Sequence, residues 1–314
     1  MFVSATSFSK DLNTPAGEKL RAFADEIVVN PHQRPLRGDE IIELLKDADG
    51  YIAGLDYIDA QTIERMPDSL KVISRYGVGY ERVDVEAARA RGIVVTNTPG
   101  ANTNSVADLT FALMLNAARN VCTLNDRVKN GEWPRSNGVE IYQKTLGIVG
   151  FGAIGRAVAR RARGFDMELL AYDPYVVQKD ADEYYATMTD LKTLLNQSDV
   201  ITLHMPVTEQ TKNMINAQTI SLMKDGVVLI NTARGGLIHE GDAQEALSSG
   251  KIGALGLDAF AVEPPAGNPL LKLDHVIATP HTGAHTQEAI HNMAMMSVDN
   301  LIDVLSGKDC PYIL

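Results

Sequence analysis

Short apolar runs rich in Val and Ile alternate with amphipathic segments in two series along the chain. The first hundred residues contain the strand-like runs FVSAT, IVVN, GYIAG, LKVISRYG and GIVVTNT, with helical segments such as EKLRAFADE between them. The pattern restarts at TLGIVG and continues through ELLAYD, DVITLHMP, GVVLINTA, ALGLDAF and HVIATPH. Strands separated by helices form parallel sheets, so the sequence predicts an α/β protein with two doubly wound units. A length of 314 residues suits two domains.

Two longer segments have helical periodicity. From Asn104 to about Asn130 the chain contains no Pro or Gly, which predicts one long helix that leaves the first domain. Near the end, TQEAIHNMAMMSVDNLIDVLSG predicts a helix with Thr286 as its N-cap and Gly307 as its stop.

Charge and composition exclude several classes of partner. The chain has 29 Lys and Arg against 40 Asp and Glu, a net charge of −11, and no basic stripe, so we expect neither nucleic acid nor a membrane as a partner. The first residues, MFVSATSFSKDLN, lack the features of a signal peptide, which leads us to expect a cytoplasmic protein. Cys122 and Cys310 stand alone in sequence, which argues against a disulfide framework and a zinc site.

A glycine motif directly follows the first strand of the second series. Gly150, Gly152 and Gly155 have the spacing G-x-G-x-x-G between the apolar strand and a helix. The first glycine permits a tight turn, the second lets the backbone approach a pyrophosphate, and the third allows close helix–strand packing. The alternative is a purely structural glycine turn.

An aspartate at the end of the next strand favours the dinucleotide interpretation. Asp173 lies 18 residues after Gly155, where a carboxylate can accept hydrogen bonds from both ribose hydroxyls of an adenosine. The alternative is an Asp in a turn before Pro174. No Arg follows within residues 174–177 to hold a 2′-phosphate, so the sequence predicts NAD rather than NADP.

Three further strand ends carry polar side chains. Arg234, Glu263 and His281 follow apolar strands, and ligands bind beyond the carboxyl ends of such strands. Histidine can exchange a proton with the oxygen of a carbon that gains or loses hydride, a carboxylate can orient it, and a guanidinium can hold a substrate carboxylate. For each residue alone, a surface salt bridge is the alternative.

A metal pair is the other interpretation of TPHTGAH. His281 and His285 would share a face only if their segment were helical, yet Pro280 and Gly283 interrupt it. We therefore predict no metal site, and we interpret His285 as a loop or helix-entry residue.

The chain resembles the D-isomer-specific 2-hydroxyacid dehydrogenase family along nearly its whole length. The matching segments are SRYGVGYERVDV, NTPGANTNSVADLT, KTLGIVGFGAIGR, LHMPVTEQTKNMI, LINTARGGLIHEGDAQEAL, GALGLDAFAVEPP and TPHTGAHT. The resemblance implies an NAD-binding Rossmann domain, residues 101–284, inserted into a flavodoxin-like substrate-binding domain, residues 1–100 and 285–314. It also implies a cleft between the domains that closes over the substrate, and a homodimer formed through the long helix.

The resemblance further implies roles for individual residues. Arg234 would bind the substrate carboxylate and carbonyl, His281 would be the acid/base, and Glu263 would orient it. The backbone of Gly77, Val78 and Gly79 would hold the substrate carboxylate, and Asp258 would meet the nicotinamide carboxamide. The remaining residues that would line the cofactor are Ala153, Ile154, His204, Pro206, Thr211, Thr232 and Ala233.

Within the family the chain looks most similar to D-3-phosphoglycerate dehydrogenases of a short form. Arg75, Asn102 and Arg135 fall where those enzymes place polar or basic substrate contacts. One departure is Asp56, because some of them have an arginine after the strand GYIAG and an inward carboxylate would repel an anion. Glyoxylate or hydroxypyruvate reduction is therefore the alternative. Formate oxidation is disfavoured, since those relatives have Gln in place of the Glu of the pair.

A binding role without turnover is a second class of hypothesis. NAD-sensing co-repressors share the fold and keep the site while acting as scaffolds. Their extra interaction segments are not recognisable here, so an enzyme is the favoured interpretation.

Overall fold

The computed structural model describes all residues, 1–314, and divides them into two compact units. The first unit consists of Met1–Asn102 together with His285–Leu314, and the second consists of Thr103–Ala284. Each unit contains one parallel sheet with helices around it. The predicted α/β class with two doubly wound units is confirmed.

The strands and helices follow the predicted alternation and add short elements between them. The strands are β1 (Phe2–Val3), β2 (Val28–Val29), β3 (Gly50–Ala53), β4 (Val72–Arg75), β5 (Val94–Thr96), β6 (Thr145–Val149), β7 (Glu168–Tyr172), β8 (Ala186–Met188), β9 (Val200–Leu203), β10 (Val227–Asn231), β11 (Ile252–Leu257) and β12 (Val276–Ala278). The helices are α1 (Thr6–Ser9), α2 (Pro15–Phe23), α3 (Asp39–Leu45), α4 (Ala60–Glu64), α5 (Val85–Ala90), α6 (Thr103–Arg119), α7 (Val121–Lys129), α8 (Ala153–Ala162), α9 (Gln178–Asp182), α10 (Leu191–Gln197), α11 (Ala217–Ser221), α12 (Glu240–Ser249) and α13 (Gln287–Leu305).

The first unit has a five-stranded sheet in the order β2-β1-β3-β4-β5, with every named pair parallel. This is the flavodoxin-like order, whose connections reverse direction between β1 and β3. The C-terminal helix α13 packs on the sheet, and Ser74 Oγ donates to Ser297 O at 2.7 Å. Because all five strands run parallel, their carboxyl ends lie at one edge of the sheet, where ligands of such sheets bind.

The second unit has a seven-stranded parallel sheet in the order β12-β11-β10-β9-β6-β7-β8. Its connections reverse between β6 and β9, so the dinucleotide-binding crevice is expected beyond the ends of those two strands. Every strand of this unit is largely apolar, because both faces of the sheet are covered by helices.

The predicted single helix from Asn104 to Asn130 is wrong, because the chain forms α6 and α7 with a break at Asn120. Asn120 has φ 54° and ψ 35°, the left-handed conformation that Asn tolerates better than most residues. The side chain of Asn116 accepts from Cys122 N at 2.9 Å, and Val139 N donates to Ala118 O at 2.9 Å. These bonds satisfy backbone groups that a continuous helix would pair internally, so the break costs little.

The predicted ends of the last helix are confirmed. Thr286 accepts from Ala289 N at 3.1 Å as the N-cap of α13, and Gly307 has φ 67° beyond its end. Residues 281–285 precede this helix and are not helical. No helix in the chain combines the length and the apolar character that crossing a bilayer requires.

Gly147 in β6 tests how tightly the second unit is packed. A methyl group there would lie 2.3 Å from Ser198 Oγ and 2.5 Å from Leu194 Cδ2. We expect Gly147→Ala to lower the free energy of unfolding by about 1–3 kcal/mol through overpacking. Gly164→Ala is the matched control, because a methyl group there meets no atom within 4 Å. Urea denaturation followed by circular dichroism measures both, and equal midpoints for the two variants would contradict the packing described.

Candidate active site

The three predicted reacting side chains follow three strands that are neighbours in the sheet. Arg234 follows β10, Glu263 follows β11 and His281 follows β12. The loop after β10 presses on the loop after β11, since a methyl group on Gly235 would lie 1.9 Å from Phe260 C. Parallel pairing therefore brings these loops together at the carboxyl edge.

His281 and Glu263 form a direct pair. The His281 Nδ1 atom lies 2.9 Å from Glu263 Oε1 and 3.1 Å from Oε2. A carboxylate only accepts hydrogen bonds, so Nδ1 carries the proton and Nε2 is the ring atom left to exchange one. The two side chains are 39% and 25% exposed, so the pair is open to a ligand. Phe260 N also donates to Glu263 Oε1 at 3.2 Å, which fixes the carboxylate.

The Asn231 side chain shapes the turn that carries Arg234. Its Nδ2 donates to Arg234 O at 2.8 Å and its Oδ1 accepts from Ala233 N at 3.0 Å. Arg234 is half-buried, and its Nη1 donates to Ala233 O at 2.8 Å. The fully buried Asn231 side chain therefore fixes the backbone of this turn, and the turn places the Arg234 guanidinium at the edge of the sheet.

Asp258 holds the segment that carries His281. Its carboxylate accepts from Thr279 Oγ1 at 2.6 Å, from Thr282 N at 2.8 Å and from Gly283 N at 2.8 Å. His281 itself has φ 51°, a left-handed conformation that few non-glycine residues adopt. Asp258 is 2% exposed, and the hydrogen bonds its oxygens accept all come from this loop. The predicted contact with a nicotinamide carboxamide stays a prediction.

The glycine motif forms a cradle that fits a dinucleotide. Gly150 has φ 97°, and a methyl group on it would lie 2.7 Å from His204 C and O. On Gly155 a methyl group would lie 2.2 Å from Gly150 O, so both positions require glycine. On Gly152 it would meet nothing within 4 Å, so space is open where α8 begins. Open space at a helix N-terminus suits a pyrophosphate, because the first N–H groups of the helix lack intrahelical partners.

Asp173 lies beside this cradle at the end of β7. Its Oδ2 accepts from Phe151 N at 2.9 Å and its Oδ1 accepts from Tyr175 N at 2.9 Å. One backbone bond to each oxygen leaves further lone pairs on the carboxylate. The structure therefore joins Asp173 to the glycine loop, and its predicted contact with ribose hydroxyls stays a prediction.

His204 directly follows β9, next to Gly150, and has an unusual environment. Its Nε2 lies 3.0 Å from Thr202 Oγ1, whereas Nδ1 is enclosed and has no hydrogen-bond partner. Burial lowers the pKa of His204 to about 3, so the ring is neutral at pH 7. An orphaned polar atom at the switch point is consistent with a cofactor that supplies its partner.

The other predicted cofactor residues also lie at or beyond the carboxyl ends of strands. Thr232 Oγ1 lies 2.9 Å from Thr110 Oγ1, and Thr211 Oγ1 donates to Pro206 O at 2.7 Å. Both threonine residues are 8% exposed, so their hydroxyls stabilise turns within the unit. Ala153 and Ile154 begin α8, and Ala233 precedes Arg234. Their contacts with a cofactor remain predictions.

In the first unit, the loop after β4 carries the predicted carboxylate-binding glycines. Gly77 has φ 132°; its N–H donates to Thr98 Oγ1 at 3.0 Å, and its carbonyl accepts from Thr98 N at 3.1 Å. Asn97 Nδ2 donates to Val78 O at 2.9 Å. The loop is therefore held by its neighbours, and the donors it leaves for a ligand are the N–H groups of Val78 and Gly79.

The Arg75 side chain holds this loop through hydrogen bonds to backbone carbonyls. It is 6% exposed, and its Nη1 donates to Tyr76 O and, at 3.3 Å, to Ala53 O. A methyl group on Gly77 would lie 3.3 Å from the same Nη1 atom. The Nη1 group is therefore committed to the loop backbone, and the predicted contact of Arg75 with a substrate stays a prediction.

Asp56, the departure from the family pattern, is buried within the first unit. Its oxygens accept from Leu36 N at 2.7 Å, from Tyr51 OH at 2.9 Å and from Gly54 N at 3.1 Å, and also from Ser4 Oγ. At 1% exposure the carboxylate faces no ligand. Burial and this carboxylate raise the pKa of Tyr51 well above its ordinary value, so Tyr51 remains a donor.

Asn102 and Arg135 differ in their surroundings. The Oδ1 atom of Asn102 is buried and has no hydrogen-bond partner, which is the state expected of a group that a ligand completes. Arg135 is exposed in the irregular segment after α7 and pairs with no carboxylate. Substrate contact stays a prediction for both.

Sequence reasoning missed residues that support the site. Asn231 shapes the Arg234 turn, and Glu240 accepts from Ala261 N at 3.1 Å and from Asn268 Nδ2 at 2.7 Å. Glu240 therefore holds the loop that carries Glu263. A polar residue within an apolar strand was a signal for Asn231, whereas nothing in the sequence distinguishes Glu240 from other helix-start acids.

Comparison with known protein families identifies one family whose profile matches this chain. The family profile described as D-isomer specific 2-hydroxyacid dehydrogenase, NAD binding domain, matches residues 111–283. The chain belongs to this family. The match confirms the resemblance noted from the motifs, and it supports NAD as the cofactor of the second unit.

Curated relatives extend the similarity beyond this domain. The chain is 43% identical over 276 residues to a D-3-phosphoglycerate dehydrogenase of Methanocaldococcus jannaschii, with 87% of this chain and 53% of the relative covered. It is 42% identical over 276 residues to a hydroxypyruvate reductase of Thermotoga maritima, with 86% and 89% covered. The chain thus spans about half the length of the first of these family members and most of the second.

A solved structure shows the same fold over nearly the whole chain. The D-lactate dehydrogenase of Aquifex aeolicus, complexed with NAD and lactic acid, matches with a TM-score of 0.84 and 31% identity. The match covers 98% of this chain and 96% of that one. The fold of both units is therefore that of this dehydrogenase family.

Gly152 provides a test of the cofactor cradle. A methyl group on Gly152 meets no atom within 4 Å, and the larger side chain of Val would extend into the space at the start of α8. We expect Gly152→Val to weaken NADH binding by at least about tenfold, because a pyrophosphate can no longer approach the helix N-terminus. Titration by NADH fluorescence measures the change. Gly164→Val, also in open space, should bind NADH like the parent, and equal affinity in both variants would contradict the cradle.

His204 gives the second unit a stability that depends on pH. The unfolded chain takes up a proton near the ordinary pKa of 6.5, whereas the folded ring does so only near 3. Stability is therefore full above pH 6.5 and falls as the pH drops toward 3, by at most about 1.4 kcal/mol per pH unit. His204→Gln should remove this component in cofactor-free protein, measured by urea denaturation from pH 7.5 to 5. The exposed His275→Gln is the control, and parallel pH profiles for His204→Gln and the parent would disprove the effect.

Proposed function

We propose that the protein is an NAD-dependent oxidoreductase that transfers hydride between nicotinamide and C2 of a D-2-hydroxyacid/2-oxoacid pair. The observation that carries the proposal is the His281–Glu263 pair, with its ring nitrogen 2.9 Å from the carboxylate, at the sheet edge that also bears the glycine cradle. When bound, NAD supplies the hydride acceptor or donor. Proton transfer and substrate binding are carried out by groups of the protein chain itself.

His281 moves the proton in this proposal. Its Nδ1–H is held by Glu263, so Nε2 gives a proton to the substrate oxygen during reduction and takes it back during oxidation. The Glu263 carboxylate stabilises the imidazolium at the stage when the ring is charged. Asp258 keeps the segment in the conformation that presents the ring.

Arg234 holds and polarises the substrate. A guanidinium binds a carboxylate with two parallel hydrogen bonds and places the adjacent carbonyl in a defined orientation. On the family resemblance, we also propose that the Val78 and Gly79 N–H groups of the first unit bind a substrate carboxylate. These groups match the needs of any 2-oxoacid, and so they do not by themselves select one.

D-3-Phosphoglycerate and 3-phosphohydroxypyruvate are the substrate pair that we favour. Support comes from the relatives, several of which carry the name D-3-phosphoglycerate dehydrogenase, at 36–43% identity. The buried environment of Asp56 removes the objection that its charge would repel a phosphate.

Glyoxylate or hydroxypyruvate reduction is the second candidate. Relatives that match this chain over most of their own length carry those names, among them the Thermotoga maritima protein and a glyoxylate reductase of Thermococcus litoralis, with 40% identity and 87% of the relative covered. The commitment of Arg75 to its own loop favours a substrate without phosphate unless other cations bind one.

We also propose that the chain forms a homodimer through α6, α7 and the segment that follows. These segments expose several large apolar side chains to water, namely Leu115, Val121, Val128, Trp133 and Val139, and a partner copy would bury them.

His281 and Glu263 can be tested by activity. We expect His281→Ala to lower kcat for 2-oxoacid reduction by about 10²–10⁴-fold with NADH affinity unchanged, because only proton transfer is lost. Glu263→Gln should also lower kcat, but by less than His281→Ala does, since the ring is still present and only loses the carboxylate that orients it. NADH absorbance at 340 nm with 3-phosphohydroxypyruvate, hydroxypyruvate and glyoxylate measures kcat for both variants. Titration of NADH fluorescence measures the NADH affinity of His281→Ala.

The same assay distinguishes the alternatives. The exposed His275→Ala is the control and should leave kcat unchanged. A higher kcat/KM for glyoxylate or hydroxypyruvate than for 3-phosphohydroxypyruvate would favour the second candidate. Absence of turnover with every 2-oxoacid and 2-hydroxyacid would overturn the enzymatic proposal and leave a scaffold that binds NAD.

A further inference from the structure

The loop between β11 and β12 carries Glu263, and one carboxylate of a neighbouring helix holds this loop at two points. Glu240, the first residue of α12, accepts from Ala261 N at 3.1 Å with Oε1 and from Asn268 Nδ2 at 2.7 Å with Oε2. Ala261 lies two residues before Glu263, and Asn268 lies five residues after it. The two oxygens of Glu240 therefore hold the chain on both sides of Glu263.

The Ala261 amide lies directly next to the amide that fixes the Glu263 carboxylate. Phe260 N donates to Glu263 Oε1 at 3.2 Å, and Ala261 N, the next amide along the chain, donates to Glu240. Phe260 is buried in the core of the second unit, whereas Ala261 is exposed. Because neighbouring peptide groups are rigid planes joined at one Cα, rotation of one alters the direction of the other. Release of Ala261 N therefore disturbs the donor that holds Glu263.

The Asn268 side chain is fixed in the orientation that presents a donor to Glu240. Its Oδ1 accepts from Leu270 N at 3.0 Å as the N-cap of the 3₁₀ turn Pro269–Lys272, and Leu270 is fully buried. The Nδ2 group, which can only donate, is the group that faces Glu240. The loop thus offers two donors to residue 240. A carboxylate supplies an oxygen for each, whereas a glutamine amide supplies only one oxygen.

The position of Glu240 is itself well defined. A carboxylate in the first turn of a helix is stabilised by the N–H groups and the dipole of that helix. The loop after β10, which carries Arg234, packs against the same place, since a methyl group on Gly235 would lie 2.2 Å from Ala261 N. Both Glu240 oxygens bond to the loop, so the contacts of this side chain indicate placement and not the binding of a ligand.

We propose that Glu240, together with Asn268, is a positioning residue for proton transfer. It fixes the Glu263 carboxylate and, through that carboxylate, the direction of the His281 ring. This inference rests on the proposed function, because it concerns the same His281–Glu263 pair. All four side chains belong to the second unit. Loss of the Glu240 contacts therefore slows the proton step and leaves the binding of NADH and of the 2-oxoacid intact.

Exchange of the two polar groups tests the proposal. Glu240→Gln leaves one oxygen for two donors, and Asn268→Asp places two carboxylates against each other. Each variant should lower kcat for 2-oxoacid reduction by about tenfold, because a misplaced catalytic group loses rate. KM for the 2-oxoacid and the Kd of NADH should change by less than about threefold. NADH absorbance with glyoxylate, hydroxypyruvate and 3-phosphohydroxypyruvate, and NADH fluorescence titration, give these values.

The double variant Glu240→Gln/Asn268→Asp distinguishes positioning from general damage to the loop. It restores a donor and an acceptor between the two positions with their polarity reversed, and the Leu270 N–H keeps its acceptor. Its kcat should return to within about threefold of the parent value. Glu245→Gln, which alters an exposed glutamate of the same helix, is the matched control and should leave kcat unchanged.

A second comparison shows whether Glu240 acts through Glu263. In a Glu263→Gln background the carboxylate to be positioned is already absent. Addition of Glu240→Gln should then lower kcat by less than about twofold further, because the two residues act as one unit.

Four results would each overturn the proposal: an unchanged kcat in both single variants, a rise in KM and in the Kd of NADH as large as the fall in kcat, no recovery in the double variant, or a loss in the Glu263→Gln background as large as that in the parent background. Turnover by the parent leaves the proposed function intact in all four cases. Absence of turnover by the parent with every 2-oxoacid overturns the proposed function and this inference together.

Discussion

The hydrogen bonds of the buried Asp258 carboxylate are the interactions on which the carboxyl edge of the second sheet depends, where His281 and Glu263 lie. The carboxylate accepts three hydrogen bonds from the segment 279–283, and Asp258 N donates to Asn231 O at 2.9 Å. One residue thus ties the ends of β10, β11 and β12 together. His281 can keep a left-handed backbone only because its neighbours on both sides are held in this way. A buried charge with fewer bonds would destabilise the fold, so the bonding is also a condition of its burial.

Asp56 has a similar role in the first unit. It organises the turn after β3 through two backbone N–H groups and two hydroxyls. Both aspartates follow a strand at the carboxyl edge, and both convert a flexible connection into a fixed platform. Asp173 differs, because its two backbone bonds leave lone pairs for a ligand. The number of hydrogen bonds that each carboxylate already accepts is why we assign an organising role to Asp56 and Asp258 and propose a binding role for Asp173.

Burial also distinguishes the arginines of the first unit. Arg75 was the natural candidate for a phosphate contact from its position at the end of β4, yet its guanidinium supports the loop at Gly77. Arg37 instead lies with its Cζ 4.0 Å from the centroid of the Tyr57 ring, a contact between segments twenty residues apart. Charge type is visible in a sequence, but what a charge faces is a property of the fold.

Local periodicity and strand-end chemistry in the sequence determined the α/β class, the glycine cradle and the trio of Arg234, Glu263 and His281. Those features depend on residues close in sequence and on the rule that parallel strands end at one edge. The break at Asn120, the surroundings of Asp56 and Arg75 and the contact of Arg37 with Tyr57 were decided by tertiary structure alone. Each depends on a partner far along the chain, whose distance and burial no local pattern records.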